Sequence, residues 1–78
     1  MNATLDDKVL AIVAEVNGLK RSQVTPQSTL TGDLAMDSPT LLHLLVELEA
    51  AFDVTISDRA AAELGTVGDL IEYLRGLI

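Results

Sequence analysis

The sequence predicts an all-α fold: a small four-helix bundle of three main helices and one short third helix, with a long loop between helices one and two. Three observations lead there. Apolar residues recur at helical spacing over most of the chain, and no run alternates like a half-buried strand. A residue suited to N-capping stands ahead of each periodic segment. The apolar content, 49% of 78 residues, is mostly Leu, Val, Ile and Ala, with Phe52 and Tyr73 the only aromatics. Aliphatic side chains of this kind suit helix-on-helix packing.

The first helix is expected to begin near Thr4, with Asp7 three residues on in the capping-box position and Asp6 in the first turn. Leu5, Val9, Ile12, Val13 and Val16 form one apolar stripe. Asn17 and Gly18 end it, Gly18 being suited to a left-handed C-cap. From Leu19 to Asp37 the periodicity fades. Pro26, Gly32 and the polar cluster Thr25 to Thr31 mark an ordered loop, with Val24, Leu30 and Leu34 as anchors and a short helical turn near Gly32–Leu34. The second helix covers Pro39 to Phe52. Ser38 is read as its N-cap and Pro39 as N1, where a missing N–H costs nothing. Val54, Thr55 and Ile56 form an extended link. Ser57 caps a brief third helix, Asp58 to Leu64, ended by Gly65. Thr66 with Asp69 opens the last helix from Val67, whose apolar positions are Val67, Leu70, Ile71, Leu74 and Ile78. No repeat or composition shift divides the chain, so residues 1–78 are expected to form one domain.

Composition removes several function classes. There is no cysteine and only one histidine, so neither disulfides nor a nitrogen–sulfur metal cage can form. The net charge is −7, from 5 basic and 12 acidic residues. Binding a phosphate backbone or an anionic membrane needs clustered Lys and Arg, so no nucleic acid and no membrane partner is expected. A basic protein partner is compatible with this charge. The opening "MNATLDDKVL" shows no basic segment followed by an apolar one, and no apolar run reaches membrane-spanning length. A cytoplasmic monomer is the expectation.

The second helix is more apolar than one core face requires. On a helical wheel Leu41, Leu44, Leu45, Leu48 and Phe52 share an arc that suffices for a core. Pro39, Leu42, Val46 and Ala50 fall on a neighbouring face. Either the helix is buried on several sides, or this second stripe is exposed and docks a partner, with Glu47 and Glu49 beside it.

Ser38 does not have the surroundings of a catalytic serine. His43 is the only histidine, lies about 140° round the helix from Ser38, and no third residue orients it. It is read as a surface or rim residue. Two readings of Asp37-Ser38 stay open on the residues alone: a helix cap, or an exposed modification site at the positive end of a helix dipole. Asp37 would repel a phosphate there, and so needs another reason to be present.

The stretch "DLAMDSPTLLHLLVELEAAFDVTISD" resembles the attachment region of acyl carrier proteins, whose core motif is approximately Asp-Leu-Gly-x-Asp-Ser-Leu. The likeness covers nearly the whole chain. An apolar first helix, a long loop, a second helix after the serine closed by Phe52, Ile56-Ser57-Asp58 ahead of a short helix, and Thr66-Val67 opening the last all have their place. The resemblance implies that Ser38 receives 4′-phosphopantetheine from coenzyme A, in a magnesium-dependent reaction of a separate phosphopantetheinyl transferase, with Asp37 assisting. It implies a non-catalytic carrier whose cargo rides as a thioester on the arm. Partners would be acyl-loading, ketosynthase or other acyl-transfer enzymes, docking on the second helix at Pro39, Leu42, Val46, Glu47, Glu49 and Asp53.

Three departures from the family pattern stand out. Ala35 replaces the usual Gly, where a left-handed backbone would be strained, so a slightly different loop is expected. Pro39 replaces the usual Leu. Thr40, His43, Ala50 and Ala51 occupy positions often acidic in carriers of primary fatty acid synthesis. Docking should therefore lean on apolar contact, in fatty acid, polyketide or related specialised biosynthesis. An aminoacyl or peptidyl carrier is the nearest alternative, made less fitting by the absence of a Gly-Gly-His-Ser-like motif. An acidic helical interaction module, with Ser38 only a cap, is the alternative from another class.

Overall fold

A computed structural model describes residues 4–78. The expectation of no leader segment rests partly on residues 1–3, which lie outside the described residues. Four helices follow in order: α1 (Leu5–Val16), α2 (Ser38–Phe52), α3 (Asp58–Glu63) and α4 (Val67–Leu77). There is no sheet among the described residues.

Local signals set most boundaries. Thr4 Oγ1 accepts the Asp7 N–H at 3.1 Å and starts α1. The Asn17 side-chain amide donates to the Val13 carbonyl at 2.8 Å, and Gly18 at φ 66° turns the chain out of the helix. Ser57 Oγ accepts the Ala60 N–H and starts α3. That helix ends at Glu63, one residue before the expected Leu64. Leu64 is extended instead, because the next residues pair with the long loop: Gly65 accepts the Leu30 N–H at 3.0 Å, and Thr66 bridges Thr29 antiparallel.

The core joins Val9, Leu10, Val13 and Ala14 of α1 to Leu44, Leu45 and Leu48 of α2 and to Val67, Leu70, Ile71 and Leu74 of α4. The buried face of α1 is rotated from the expected stripe. Leu10 and Ala14 are buried, while Leu5, Ile12 and Val16 only pack on the rim, because α1 lies against both α2 and α4. Ile78, expected on the inner face of the last helix, is exposed beyond its end.

The loop belongs to the core. Val24, Leu30 and Met36 are buried and Leu34 is half-buried. Its only helical turn is a 3₁₀ turn at Arg21–Gln23, which the sequence did not suggest. Around Gly32–Leu34 there are hydrogen-bonded turns and not a turn of helix, since Leu34 N–H reaches back to the Thr29 carbonyl at 3.0 Å.

The loop also completes α4. The first three N–H groups of any helix lack intrahelical partners. Here Val67 N–H donates to Ser28 O at 3.0 Å, Gly68 N–H to Pro26 O at 2.8 Å, and Asp69 N–H to Thr66 Oγ1 at 3.1 Å. Asp69 Oδ2 in turn accepts from the Gly65 and Thr66 N–H groups, both at 3.1 Å. Gly68 leaves room for this contact: a Cβ there would stand 3.0 Å from the Pro26 carbonyl oxygen.

Leu30→Ala should destabilise the chain by about 2–5 kcal/mol, the cost of a core truncation, although residue 30 lies in a loop. Urea unfolding measures this, and a loss below about 0.5 kcal/mol, the level of a surface change, would show that the loop does not pack. Thr66→Ala should cost about 1 kcal/mol and Thr66→Ser much less, since Ser restores the capping oxygen.

Candidate functional site

The segment Thr29 to Met36 aims the chain into α2. Asp33 N–H donates to Thr29 Oγ1 at 2.6 Å, and Thr29 N–H returns a bond to Asp33 Oδ2 at 3.0 Å. Gly32 sits inside this reciprocal pair, where a Cβ would come within 2.5 Å of Thr29 Oγ1. Ala35 then takes φ 51°, in the left-handed region. The alanine therefore does not reroute the loop; it accepts the strained conformation that glycine adopts freely. Met36 follows, buried, with its N–H on the Leu30 carbonyl at 3.0 Å. Asp37 and Ser38 emerge from this anchor, both exposed.

The cap of α2 is Asp37 and not Ser38. Asp37 Oδ1 accepts the Thr40 N–H at 3.0 Å, and its carbonyl accepts the first helical bond, from Leu41 N–H at 2.9 Å. Ser38 is thus N1 and Pro39 is N2. A charged carboxylate is a stronger acceptor than a hydroxyl. The chain accordingly caps with Asp37, although the residue before a proline disfavours helical geometry. Hydrogen bonds from the Thr40 side chain and N–H favour the ionised carboxylate and hold the Asp37 carboxyl below its ordinary value of 3.8.

Two consequences follow for Ser38. Its hydroxyl has no hydrogen-bond partner among the described residues, and no capping duty occupies it. Few backbone donors surround it. Pro39 has no N–H and the Thr40 N–H is held by Asp37. A phosphoryl group on Ser38 Oγ would find at most the Asp37 and Ser38 N–H groups, so the helix end gives it little cradle.

Pro39, Leu42, Val46 and Ala50 are all exposed, Leu42 by 59% and Val46 by 51%. Leu44, Leu45 and Leu48 are buried, with Leu41 and Phe52 half-buried beside them. The helix therefore has one core face and one apolar face open to solvent. Glu47 is exposed, and its Oε1 lies 3.4 Å from His43 Nε2. His43 is exposed, in an open cleft with Ile12, Glu15, Val16 and Glu47, away from Ser38. Asp53 is exposed at the left-handed C-cap, with φ 54°.

Glu49 differs from its neighbours. It is half-buried, and its Oε2 accepts the Ile56 N–H at 2.7 Å, tying the link after α2 back onto the helix. Sequence reading missed this role and that of Thr29 with Asp33. The Thr-x-x-x-Asp spacing was the available signal for the second; none marked the first, whose bond spans seven residues. Among the described residues no three His, Asp or Glu side chains cluster to hold a metal, and no helix is long and apolar enough to cross a membrane.

The model of the family described as "Phosphopantetheine attachment site" matches residues 7–74. Acyl carrier proteins of Chlorobium phaeovibrioides and Chlorobium luteolum are each 39% identical over 72 residues, covering 92% of this chain and 92% of theirs. Among solved structures, one described as an acyl carrier protein from Mycobacterium tuberculosis superposes with a TM-score of 0.87 at 32% identity, covering 94% of this chain and 97% of that one. The acyl carrier protein of Enterococcus faecalis gives 0.78 at 31% identity, covering 95% and 94%.

Ser38→Ala should change stability by less than about 0.5 kcal/mol, because the hydroxyl holds nothing. Asp37→Ala should lower Tm by several degrees, because it uncaps α2; thermal melts of the pair compare them, and a larger loss from Ser38→Ala would restore serine as the cap. The depressed Asp37 carboxyl adds stability that is fully present above its ordinary value near 3.8 and is lost as pH falls through its lower folded value. An NMR titration of the carboxyl carbon should place its midpoint below that of an unfolded reference. Ala35→Gly should stabilise by about 0.5–1 kcal/mol as the left-handed strain is relieved, read as a raised urea midpoint.

Proposed function

The chain belongs to the acyl carrier protein family, and from that premise we propose that Ser38 is the residue that carries the 4′-phosphopantetheine arm. The observation that supports this most is the free Ser38 hydroxyl, exposed at the end of a rigidly anchored loop and relieved of capping by its neighbour. As a family member the chain is a carrier and not an enzyme.

Ser38 Oγ attacks the phosphorus that bears the pantetheine unit of coenzyme A. The pyrophosphate bond breaks, the nucleotide portion leaves, and the serine proton passes to a base of the phosphopantetheinyl transferase. Asp37 has a double part. Its Oδ1 fixes the first turn of α2, and the exposed carboxylate is within reach of the transferase and its magnesium. The arm supplies a terminal thiol, which the cysteine-free chain lacks, and on it acyl groups ride as thioesters. Few N–H groups surround Ser38, so this chain exerts little hold on a phosphodiester there and leaves it to solvent.

The exposed face of α2 is the docking face in this proposal. Pro39, Leu42 and Val46 give the apolar contact. Glu47 and Asp53 give charge at its side, and Glu49 gives the one oxygen left over from its bond to Ile56. Thr40, His43, Ala50 and Ala51 dilute that charge, which supports a dedicated carrier of a specialised fatty-acyl or polyketide pathway, acting as a soluble cytoplasmic monomer.

Intact-protein mass spectrometry after incubation with coenzyme A, magnesium and a broad-specificity transferase should show a gain of one phosphopantetheine on the wild type and none on Ser38→Ala. Loading of both would move the site elsewhere. Val46→Glu should raise the KM of an acyl-transfer partner more than Glu49→Gln does, since Gln still offers an acceptor to Ile56. Equal or reversed effects would reject apolar contact as the main contribution to docking.

A further inference from the structure

Asn17 closes α1 with a side chain that is chemically labile where it stands. Its Nδ2 donates to the Val13 carbonyl at 2.8 Å, and its own N–H reaches the same oxygen at 3.2 Å. Gly18 follows at φ 66°. Gly18 N–H then donates to the Glu15 carbonyl at 3.2 Å, and Leu19 N–H to the Ala14 carbonyl at 2.8 Å. In an Asn-Gly pair the backbone amide attacks the side-chain amide most readily, because glycine puts no side chain in the way. Gly18 is exposed, and a Cβ built on it would meet nothing within 4 Å. The pair is therefore reactive by type and open to water.

The helix end keeps it from reacting. Ring closure needs Asn17 Cβ and the Gly18 nitrogen on the same side of the Asn17 Cα–C bond. Asn17 stands at ψ 1°, where its own nitrogen, and not Cβ, eclipses the Gly18 nitrogen. Turning that bond to the reactive geometry breaks the Gly18 and Leu19 hydrogen bonds and pulls Nδ2 off Val13. Such an opening is local and easier than global unfolding.

We propose that Asn17–Gly18 is a spontaneous modification site guarded by the C-cap of α1: it converts to aspartate or isoaspartate when the last turn opens, and conversion weakens that turn thereafter. The Gly18 nitrogen loses its proton to solvent base and bonds to Asn17 Cγ. The Cγ–Nδ2 bond breaks, and the nitrogen leaves as ammonia after taking a proton from water. Water then opens the succinimide at either carbonyl. One water is consumed and one ammonia released, with no oxidation or reduction. This chemistry is independent of the carrier function.

Aspartate cannot rebuild the cap. It puts a carboxylate oxygen where Nδ2 donated, so an acceptor faces the Val13 carbonyl. Its charge stands at the negative end of the helix, whose last turn holds Glu15 and no basic residue. Isoaspartate adds a backbone carbon and moves Gly18 and Leu19 out of register with their acceptors.

The test holds the full chain in mildly alkaline buffer, folded in sodium chloride or unfolded in guanidinium chloride of equal ionic strength. Tryptic peptides are then mapped by mass spectrometry. The peptide Val9–Lys20 should gain the mass difference between an amide and a carboxylic acid. It should do so at least about tenfold more slowly in the folded chain, since opening breaks three hydrogen bonds. Asn17→Asp should lower Tm by several degrees, and below Asn17→Ala, which loses the donor but adds neither charge nor a facing acceptor. A folded chain that converts as fast as the unfolded one, or an Asn17→Asp chain no less stable than Asn17→Ala, would overturn the proposal.

Discussion

The structure depends on where the first N–H groups of α4 go. A helix that starts inside a small domain exposes donors that must be satisfied. In this chain the answer comes from residues about forty positions earlier: the carbonyls of Pro26 and Ser28. That contact fixes the long loop to the last helix. It places Leu30 in the core, and through the Leu30 carbonyl it holds Met36. Met36 is the residue before Asp37, so the position of Ser38 traces back to the capping of a helix elsewhere in the chain.

The site itself shows how neighbours divide labour. Capping with Asp37 makes Ser38 the first helical residue ahead of Pro39 and places a negative charge beside its hydroxyl. In return the hydroxyl is free and the first turn is held by a charge-assisted bond. The repulsion between Asp37 and a phosphoryl group, set against the loss of donors at Pro39 and Thr40, works in the same direction. Both would keep a phosphoryl group on Ser38 from folding back onto the helix end. Ala35 adds strain to the same segment, and the loop tolerates it because Met36 and the Thr29–Asp33 pair hold it on both sides.

Much of this was legible in the sequence where the cause was local. Thr4, Ser57 and Thr66 cap as their types suggest, and Gly18 turns left-handed as its position suggests. The second apolar stripe of α2 was legible too, because a wheel shows more apolar residues than a core can take. Ser38 as cap was a local reading that a stronger local competitor defeated, one residue upstream. What stayed hidden depends on contacts distant in sequence. The rotation of the buried face of α1 is set by two helices that arrive later. The end of α3 is set by pairing of Thr66 with the loop. The tie from Glu49 to Ile56 had no pattern to announce it.

The size of the exposed stripe matters as much as its presence. Fully burying a Leu or Val side chain contributes about 1.5–3 kcal/mol. Leu42 and Val46 are already about half covered. A partner that covers the rest gains about half that amount from each, a total of about 1.5–3 kcal/mol, or roughly ten- to a hundredfold in affinity. Such a surface selects a partner and still lets go of it. It is also a hazard, since exposed apolar faces drive self-association. The charge of −7 offsets that hazard by keeping copies of the chain apart while leaving a basic surface attracted. The weak stripe and the acidic body thus act together: one offers modest, reversible contact, and the other limits association between copies of the chain.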